Sequence, residues 1–191
     1  EDNIVFKLAK KLSRHVYSNC DKIAVSSQPF MEYLSQTHGI SKEKMVYLPQ
    51  HADDSLLSMD LQPEENDIVD IVYTGNVGRA QDVDCIVNAV ELLKDMNNFK
   101  VHIVGGGSML NHMQQSTEEK GLTEKIVFHG MHPANSMPKF YKLADACLLT
   151  LCADNLVGLT VPAKLQGYMA AGKPVIAAVN GAAREIIEKA E

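Results

Sequence analysis

The sequence predicts an α/β fold: a parallel sheet with helices on both faces, preceded by a partial α/β segment. From Ile68 onward, short apolar runs alternate with amphipathic helical patterns, and glycine-rich turns follow several of the runs. Strands separated by helices pair in parallel, because each right-handed crossover returns the chain to the same edge of the sheet. Such a sheet is covered on both faces by its own crossover helices.

Bulk composition excludes several classes of protein. The chain has 191 residues and a net charge of -6, which disfavours nonspecific binding to nucleic acid, so we expect no nucleic-acid partner. No apolar run approaches the roughly 20 residues that a transmembrane helix needs. The cysteines form no C-x-x-C pair, so we expect reduced thiols in a cytosolic protein. They are Cys20, Cys85, Cys147 and Cys152.

The first element is an amphipathic helix over Asn3 to Tyr17, with apolar residues at a spacing of four and a basic remainder. We expect this apolar stripe to pack on a core beneath a solvated basic face; a helix lying on a membrane surface is the alternative. The stripe consists of Ile4, Leu8, Leu12 and Val16. A strand (Lys22 to Ser26), a helix (Pro29 to Thr37) and a second strand (Met45 to Leu48) follow.

Polar, turn-rich stretches at 49–54 and 62–67 then interrupt the pattern. They indicate a linker, so we place a domain boundary between residues 53 and 54. Beyond it the predicted strands are 68–73, 100–104, 126–128, 146–151 and 175–179. The predicted helices are 82–95, 108–120, 135–143, 162–171 and 182–189.

Ligands of such sheets bind beyond the carboxyl ends of the strands, so the loops there are the candidate sites. The first loop runs from Thr74 to Gln81. Its Gly75 and Gly78 let the backbone approach a ligand closely, and Arg79 offers a forked donor to phosphate. Asp82-Val83-Asp84 has a metal-binding spacing, but acidic residues also suit the start of a helix, so we expect no metal site.

The second loop, Gly105-Gly106-Gly107-Ser108, lacks the last glycine of the dinucleotide fingerprint, because Leu110 occupies that position. We expect a tight turn in which Ser108 caps the next helix. The third loop, His129-Gly130-Met131-His132, leaves two interpretations open. The histidines could serve catalysis or a metal, or they could form the wall beside a flat ring.

A lysine near the end of the chain is the strongest functional signal. Thr160 can cap a helix and Pro162 suits its first turn, which places Lys164 where the helix dipole disfavours a cation. A bound anion would remove this conflict; a solvated lysine is the alternative. Gly167 sits mid-helix, which a closely passing ligand or strand would explain; a glycine that only allows close packing is the alternative. We expect Tyr141, Tyr168 and Met169 to fill the core.

Taken together, several motifs resemble those of GT-B glycosyltransferases of the group 1, or family 4, type. From Ile68 to Glu191 the chain is similar to their Rossmann-like donor-binding half, and Asn3 to Asp53 resembles the end of the acceptor-binding half with the linker. The motifs are Tyr73-Thr74-Gly75-Asn76-Val77-Gly78, Val104-Gly105-Gly106-Gly107, Val127-Phe128-His129-Gly130, Ala144-Asp145-Ala146 and Tyr168-Met169-Ala170-Ala171-Gly172-Lys173-Pro174-Val175-Ile176-Ala177.

The resemblance implies glycosyl transfer from a nucleoside-diphosphate sugar to a glycan or lipid-linked acceptor, with retention of configuration and without a metal or other cofactor. Lys164 and then Arg79 would stabilise the leaving diphosphate. Implied phosphate contacts are Gly75, Asn76, Gly78, Gly158, Leu159 and Thr160; implied nucleobase contacts are His129, Gly130 and Met131. It also implies a cytoplasmic location, with contact at the inner face of the membrane as an option.

The chain departs from the family pattern at several positions. The two glutamates common in the last motif fall at Gly167 and at Asn155 or Leu159, and the usual arginine and lysine of the first loop are Asn76 and Gln81. We expect a donor-binding half, truncated at its C-terminal end, that turns over little alone. A sugar-nucleotide epimerase using His129 or His132 and a non-catalytic binding module are the alternatives, and a dinucleotide oxidoreductase is disfavoured.

Overall fold

A computed structural model describes residues 3–153 and 156–190. Its main feature is a five-stranded, fully parallel sheet with the strand order β5-β4-β3-β6-β7. A separate two-stranded parallel sheet, β1-β2, precedes it. The strands are β1 (Ile23–Val25), β2 (Met45–Tyr47), β3 (Val69–Thr74), β4 (Phe99–Val104), β5 (Ile126–Gly130), β6 (Ala146–Thr150) and β7 (Val175–Ala178).

Helices connect the strands, as the alternating pattern predicts. They are α1 (Ile4–Asn19), α2 (Gln28–His38), α3 (Val83–Leu92), α4 (Leu110–Glu119), α5 (Met137–Leu143), α6 (Ala163–Ala170) and α7 (Ala182–Lys189). Every predicted strand and helix is present, with ends within about three residues of prediction, and the α/β class is confirmed.

Two predicted helix caps are wrong. The residue before α4 is Met109 and the residue before α6 is Pro162, and neither helix has a side-chain cap hydrogen bond. Ser108 lies one residue too early. The hydroxyl of Thr160 instead donates to the carbonyl of Val157, 3.3 Å away, because Thr160 closes a short 3₁₀ turn before the helix begins.

The order of the strands creates a crevice between the ends of β3 and β6, where the chain direction across the sheet reverses. The fully buried Tyr168 of α6 fixes this point. Its hydroxyl accepts from the Thr74 amide at 3.0 Å and donates to the Leu148 carbonyl at 3.3 Å. The helix that carries Lys164 is therefore held against the carboxyl ends of two strands.

Apolar clusters cover both faces of the sheet. One joins α5, α6 and α7 to residues such as Val72 and Val104, and the other joins α3 and α4 to Tyr73 and Ile103. Tyr141 and Tyr168 belong to the first cluster, as predicted. Met169 does not: it is 40% exposed, because it lies about 100° around the helix from Tyr168 and faces away from the core.

The prediction for the first helix is also wrong. All four stripe residues of α1 are at least 50% exposed, and the helix has no buried residue. The third core, built on Val25, Leu34, Ile40 and Met45, is small, and from α1 only Tyr17 packs against it. Among the described helices, none has the length and apolarity to cross a bilayer. All four cysteines are free thiols.

The N-terminal segment touches the main sheet unit near the predicted phosphate turn. Ser27 is the N-cap that precedes α2, and its hydroxyl accepts from the Phe30 amide at 3.3 Å. The same hydroxyl donates to the carbonyl of Leu159. Because Ser27 is almost fully buried, this contact fixes the turn before α6 against the first segment.

Candidate functional site

Backbone hydrogen bonds join the loops after β3, β4 and β5 into one surface. The Gly75 amide donates to the Val104 carbonyl, and the Gly105 amide donates to the Gly130 carbonyl, both at 2.8 Å. A third bond of 2.8 Å links the amide of Val77 to the carbonyl of Gly106. The predicted phosphate and nucleobase loops are therefore neighbours at one edge of the sheet.

This packing explains the glycine triplet. Gly105 has a φ of 150°, and a Cβ there would lie 1.8 Å from the carbonyl oxygen of Gly75. A Cβ on Gly107 would lie 2.3 Å from the carbonyl oxygen of Val77. The glycines thus allow two loops to approach each other, and a dinucleotide is not required to account for them.

Lys164, the second residue of α6, points toward the first glycine loop. Its Nζ lies 3.6 Å from the centroid of the Tyr73 ring and 3.7 Å from the place that a Cβ on Gly75 would occupy. The atom is shielded from solvent and has no hydrogen-bond acceptor among residues 3–153 and 156–190. A cation–π contact with Tyr73 therefore replaces the polar partners that an ammonium normally has.

The electrostatic consequence is large. Burial lowers the pKa of Lys164 to about 7, and no charged group in the described chain offsets this effect. Burial also raises the pKa of Tyr73, so its ring stays neutral beneath the ammonium. Near pH 7 the lysine is poised between its neutral and charged forms, and a nearby anion would favour the charged form.

The turn before α6 offers fewer amide donors than predicted. The amides of Leu159 and Thr160 donate to the carbonyls of Leu156 and Val157, both at 3.3 Å, so they are not free. The amide of Gly158 has no acceptor within the described part of the chain, and the same holds for Ala163 and Lys164 at the start of the helix. Because the helix begins later than predicted, the amides without an acceptor in the described chain lie at its first residues, and not at Leu159 and Thr160.

In the first loop, residues 74–81, side-chain hydrogen bonds hold the backbone in place and one arginine is exposed. The side-chain oxygen of Gln81 accepts from the backbone amide of Gly78 and from the side-chain Nδ2 of Asn76, each at 3.2 Å. Asn76 also provides the carbonyl that accepts from the Tyr73 hydroxyl at 2.5 Å. Asn76 and Gln81 thus hold the loop in shape, while the exposed Arg79 makes no ion pair within the described residues.

Of the two interpretations of Gly167, the structure supports close packing. A Cβ at this position would lie 2.9 Å from the hydroxyl oxygen of Tyr141 on α5, so a side chain takes the space expected for a ligand or strand. Both residues line a cavity of about 360 Å³ between the linker, α5 and α6, with His51 and Asn135 on its walls. Asn155, the other position compared with the family glutamates, lies outside the described residues.

We predict that Gly167→Ala is more destabilising in the native background than in a Tyr141→Phe background. Alanine gains about 1 kcal/mol of helix propensity, but its Cβ must displace the tyrosine hydroxyl. Removing that hydroxyl removes the conflict, so the two substitutions should couple by about 1 kcal/mol. Urea unfolding of the native chain, both single variants and the double variant measures this coupling; additive effects would contradict the contact.

The third loop places His129, Gly130 and Met131 together at the end of β5. Gly130 has a φ of 73°, and its carbonyl is already used by Gly105. Met131 is 84% exposed and lies over Gly106, where a Cβ would meet its side chain at 2.9 Å. His129 points inward instead, with its Nε2 2.9 Å from Nδ1 of His102.

Sequence reasoning missed three residues of this region. The sequence predicts Tyr73 as the end of a strand and the start of a family motif, but gives no sign that its ring contacts Lys164. Asp70 and His102 were also treated as strand residues, although both are buried and hydrogen-bonded to each other. A polar residue inside an apolar strand was the signal that could have identified them.

Comparison with known proteins adds an independent finding. Residues 69–191 match the family model described as "Glycosyl transferases group 1". The Pseudomonas aeruginosa protein named "Probable glycosyltransferase WbjE" is 24% identical over 189 residues, which is 94% of this chain and 46% of that protein. The GDP-mannose-dependent alpha-(1-6)-phosphatidylinositol monomannoside mannosyltransferase of Mycolicibacterium smegmatis is 31% identical over 108 residues, 54% of this chain and 28% of that protein.

Solved structures share the fold. The Anabaena protein HepE in complex with UDP-glucose superimposes with a TM-score of 0.76 at 16% identity, over 94% of this chain and 50% of that one. The C-terminal domain of a group 1 glycosyl transferase, LpcC from Francisella tularensis, gives a TM-score of 0.51 at 18% identity, over 73% of this chain and 85% of that domain. The chain spans less than half the length of the two curated relatives described above.

Proposed function

Because this chain belongs to the group 1 glycosyltransferases, with a GT-B fold, we propose that it binds the donor of a glycosyl transfer, a nucleoside-diphosphate sugar. The diphosphate would lie at the crevice between the ends of β3 and β6, above Gly75 and before α6. Residues 54–191 would form the donor-binding half, and residues 1–53 would be the end of the acceptor-binding half with its linker.

One observation carries this proposal: the ammonium of Lys164 is shielded, has no polar partner among residues 3–153 and 156–190, and lies beside a glycine. A buried cation without a counter-ion is unfavourable, so the site is incomplete without an anion. Gly75 has no side chain to separate the ammonium from a ligand above the loop. The amides of Ala163 and Lys164, which have no acceptor in the described part of the chain, lie at the positive end of the same helix.

The chemistry follows from the charge that develops as the sugar leaves. The bond between the anomeric carbon and the diphosphate breaks, and negative charge grows on the phosphate oxygens. Lys164 and the helix amides would stabilise that charge more in the transition state than in the ground state. Arg79, exposed on the first loop, is the second cation available to the same anion.

The finer assignments rest on relatives. The HepE complex supports a nucleotide-sugar donor, and the mycobacterial relative, whose name specifies a phosphatidylinositol mannoside, supports a glycan or lipid-linked acceptor. The match to the separate domain of LpcC supports a donor-binding half that is a structural unit. We propose retention of configuration, no metal, and little turnover without the rest of the acceptor half.

Donor binding should take up a proton, which gives a direct test. Free Lys164 is mostly neutral at pH 8, because its pKa is about 7. Beside a bound diphosphate its pKa would rise, so it would be charged at pH 8. Between the pKa in the free chain and the higher pKa in the complex, the complex holds up to about one more proton than the separate molecules. Affinity for UDP or GDP should therefore fall as the pH rises from 7 to 9.

Isothermal titration of the chain with UDP and with GDP, in two buffers of different ionisation enthalpy at pH 8, measures this uptake. The phosphates are fully ionised at that pH and contribute little. Binding of neither nucleotide, or binding without proton uptake, would count against Lys164 as the diphosphate contact.

A further inference from the structure

A buried serine joins the N-terminal segment to the turn from which α6 begins. The hydroxyl of Ser27 donates its one proton to the carbonyl of Leu159, and it accepts from the Phe30 amide at 3.3 Å. Only 2% of Ser27 is exposed, so water has little access to either bond. The residue therefore caps α2 and, at the same time, holds a turn that lies 132 residues later in the sequence.

The position of Ser27 is set by the small core of the N-terminal segment. Ser27 follows β1, whose last residue, Val25, is buried and pairs in register with Tyr47 of β2. The Val25 carbonyl also accepts from the Leu48 amide at 2.9 Å. Ser27 therefore lies two residues beyond a strand that both a core and a neighbouring strand hold in place.

Both ends of the peptide unit between Leu159 and Thr160 are hydrogen-bonded. Its carbonyl accepts from Ser27, and its N–H donates to the Val157 carbonyl at 3.3 Å. A second contact to the turn comes from Gly181, which precedes α7. A Cβ on Gly181 would lie only 2.2 Å from a carbonyl oxygen of the turn, so the two backbones pack directly on each other. The turn is thus held by the N-terminal segment and by the start of α7.

Little conformational freedom separates this turn from the start of α6. Val161 is buried in the apolar cluster that joins α5, α6 and α7, and the ring of Pro162 fixes its φ, here -69°. Ala163 and Lys164 follow directly, and their amides have no acceptor in the described part of the chain. The place of these two donors therefore depends on the place of the turn, and so on the bond from Ser27.

We propose that Ser27 is a positioning residue for the anion site at the start of α6: its hydroxyl holds the turn so that the amides of Ala163 and Lys164 meet the donor diphosphate. This inference rests on the proposed function, because the diphosphate must lie there. Ser27 does not touch the ligand and acts through the carbonyl of Leu159. By linkage, a ligand that binds better when this bond is made must also strengthen the bond. The N-terminal segment and the anion site are therefore coupled.

Two substitutions of Ser27 separate the bond to the turn from the cap of α2. Both remove the hydroxyl, but glycine is a fair helix cap and alanine a poor one, so Ser27→Ala should unfold at a lower urea concentration than Ser27→Gly. By isothermal titration, both variants should bind UDP or GDP about fivefold more weakly than the native chain, the value of one hydrogen bond. Asn3→Gly, which removes the side-chain cap of α1, should bind as the native chain does.

Hydrogen exchange measures the same coupling from the other direction. The Met31 amide donates to the backbone carbonyl of Ser27 at 3.4 Å, and this bond remains possible in Ser27→Gly. Saturating nucleotide should slow exchange of the Met31 amide about fivefold in the native chain and should not change it in Ser27→Gly. The Lys7 amide, which donates to the Asn3 carbonyl at 3.1 Å in α1, should exchange at the same rate with and without nucleotide. A serine with only a structural role would give no such difference.

The anion site and its coupling to Ser27 can fail separately. If neither UDP nor GDP binds the native chain, the proposed function fails, and the inference fails with it. If one of them binds and Ser27→Gly binds it equally well, only the inference fails. A larger loss of affinity in Ser27→Ala than in Ser27→Gly would assign the effect to the order of α2 and would also overturn the inference. A Met31 amide whose exchange in the native chain does not respond to nucleotide would overturn it too.

Discussion

Replacing Gly105 with alanine should destabilise the protein by more than about 3 kcal/mol, the largest single-residue effect on stability that we expect. The added Cβ would lie 1.8 Å from the Gly75 carbonyl oxygen, far inside van der Waals contact, and the residue has a left-handed φ of 150°. The backbone of one loop must move. Because the Gly105 and Gly75 amides are both bonded across this junction, movement breaks the link between β3, β4 and β5.

Gly121→Ala is the matched control. Gly121 also has a positive φ, 67°, but nothing lies within 4 Å of its added Cβ. This variant should be destabilised only by the cost of a positive φ for a residue with a Cβ, about 1 kcal/mol. Urea unfolding followed by circular dichroism measures both variants. Equal losses in the two variants would show that the loops after β3 and β4 do not pack as described.

Replacing Lys164 with methionine should change stability and function in opposite directions. Methionine fills a similar volume beside Tyr73 and removes a shielded ammonium that has no polar partner among the residues the structure describes. The ligand-free chain should therefore become about 1–2 kcal/mol more stable, after loss of the cation–π contact. If the proposed function holds, donor binding by the chain should fall on the order of 100-fold, because the cation proposed to face the diphosphate is gone.

The stability difference between Lys164→Met and the native chain should depend on pH, in a direction that the pKa of Lys164 determines. The pKa of Lys164 is about 7 in the folded chain and near the ordinary lysine value, 10.5, when unfolded. Between these values the unfolded chain binds more protons, so the native protein gains stability as the pH rises and the buried charge is lost. The advantage of Lys164→Met should consequently be full below pH 7 and decrease toward pH 10.

Lys94→Met provides the control, since Lys94 is exposed in the turn after α3. It should leave stability, donor affinity and their pH dependence nearly unchanged. A Lys164→Met chain that is less stable than the native one would show that the ammonium has a structural role. A variant that binds UDP and GDP as the native chain does would show that Lys164 does not contact the diphosphate.

Local sequence patterns predicted the secondary structure well, because hydrophobic period and turn residues report on each segment by itself. They also identified Lys164, since a cation at a helix N-terminus conflicts with the dipole whatever surrounds it. They failed where the outcome depended on an adjacent segment. Ser108 and Thr160 are plausible caps by type, yet each helix begins one or more residues later.

Contacts between distant segments account for the other errors. Nothing near Gly167 in the sequence indicates that Tyr141, on another helix, occupies the space beside it. The stripe of α1 has the pattern of a buried face, but burial requires a partner surface, and the small core beside it reaches only Tyr17.

The sequence by itself determined the parallel α/β architecture, the glycine loops at its carboxyl edge and the lysine at the start of α6. Only the tertiary structure decided that this lysine lies on Tyr73 with no polar partner in the described chain, and that hydrogen bonds join Asp70, His102 and His129. The physical reason is the range of each interaction. Helix and strand preferences act over a few residues of chain, whereas burial and hydrogen bonding depend on strands that are neighbours in space and about 30 residues apart in sequence.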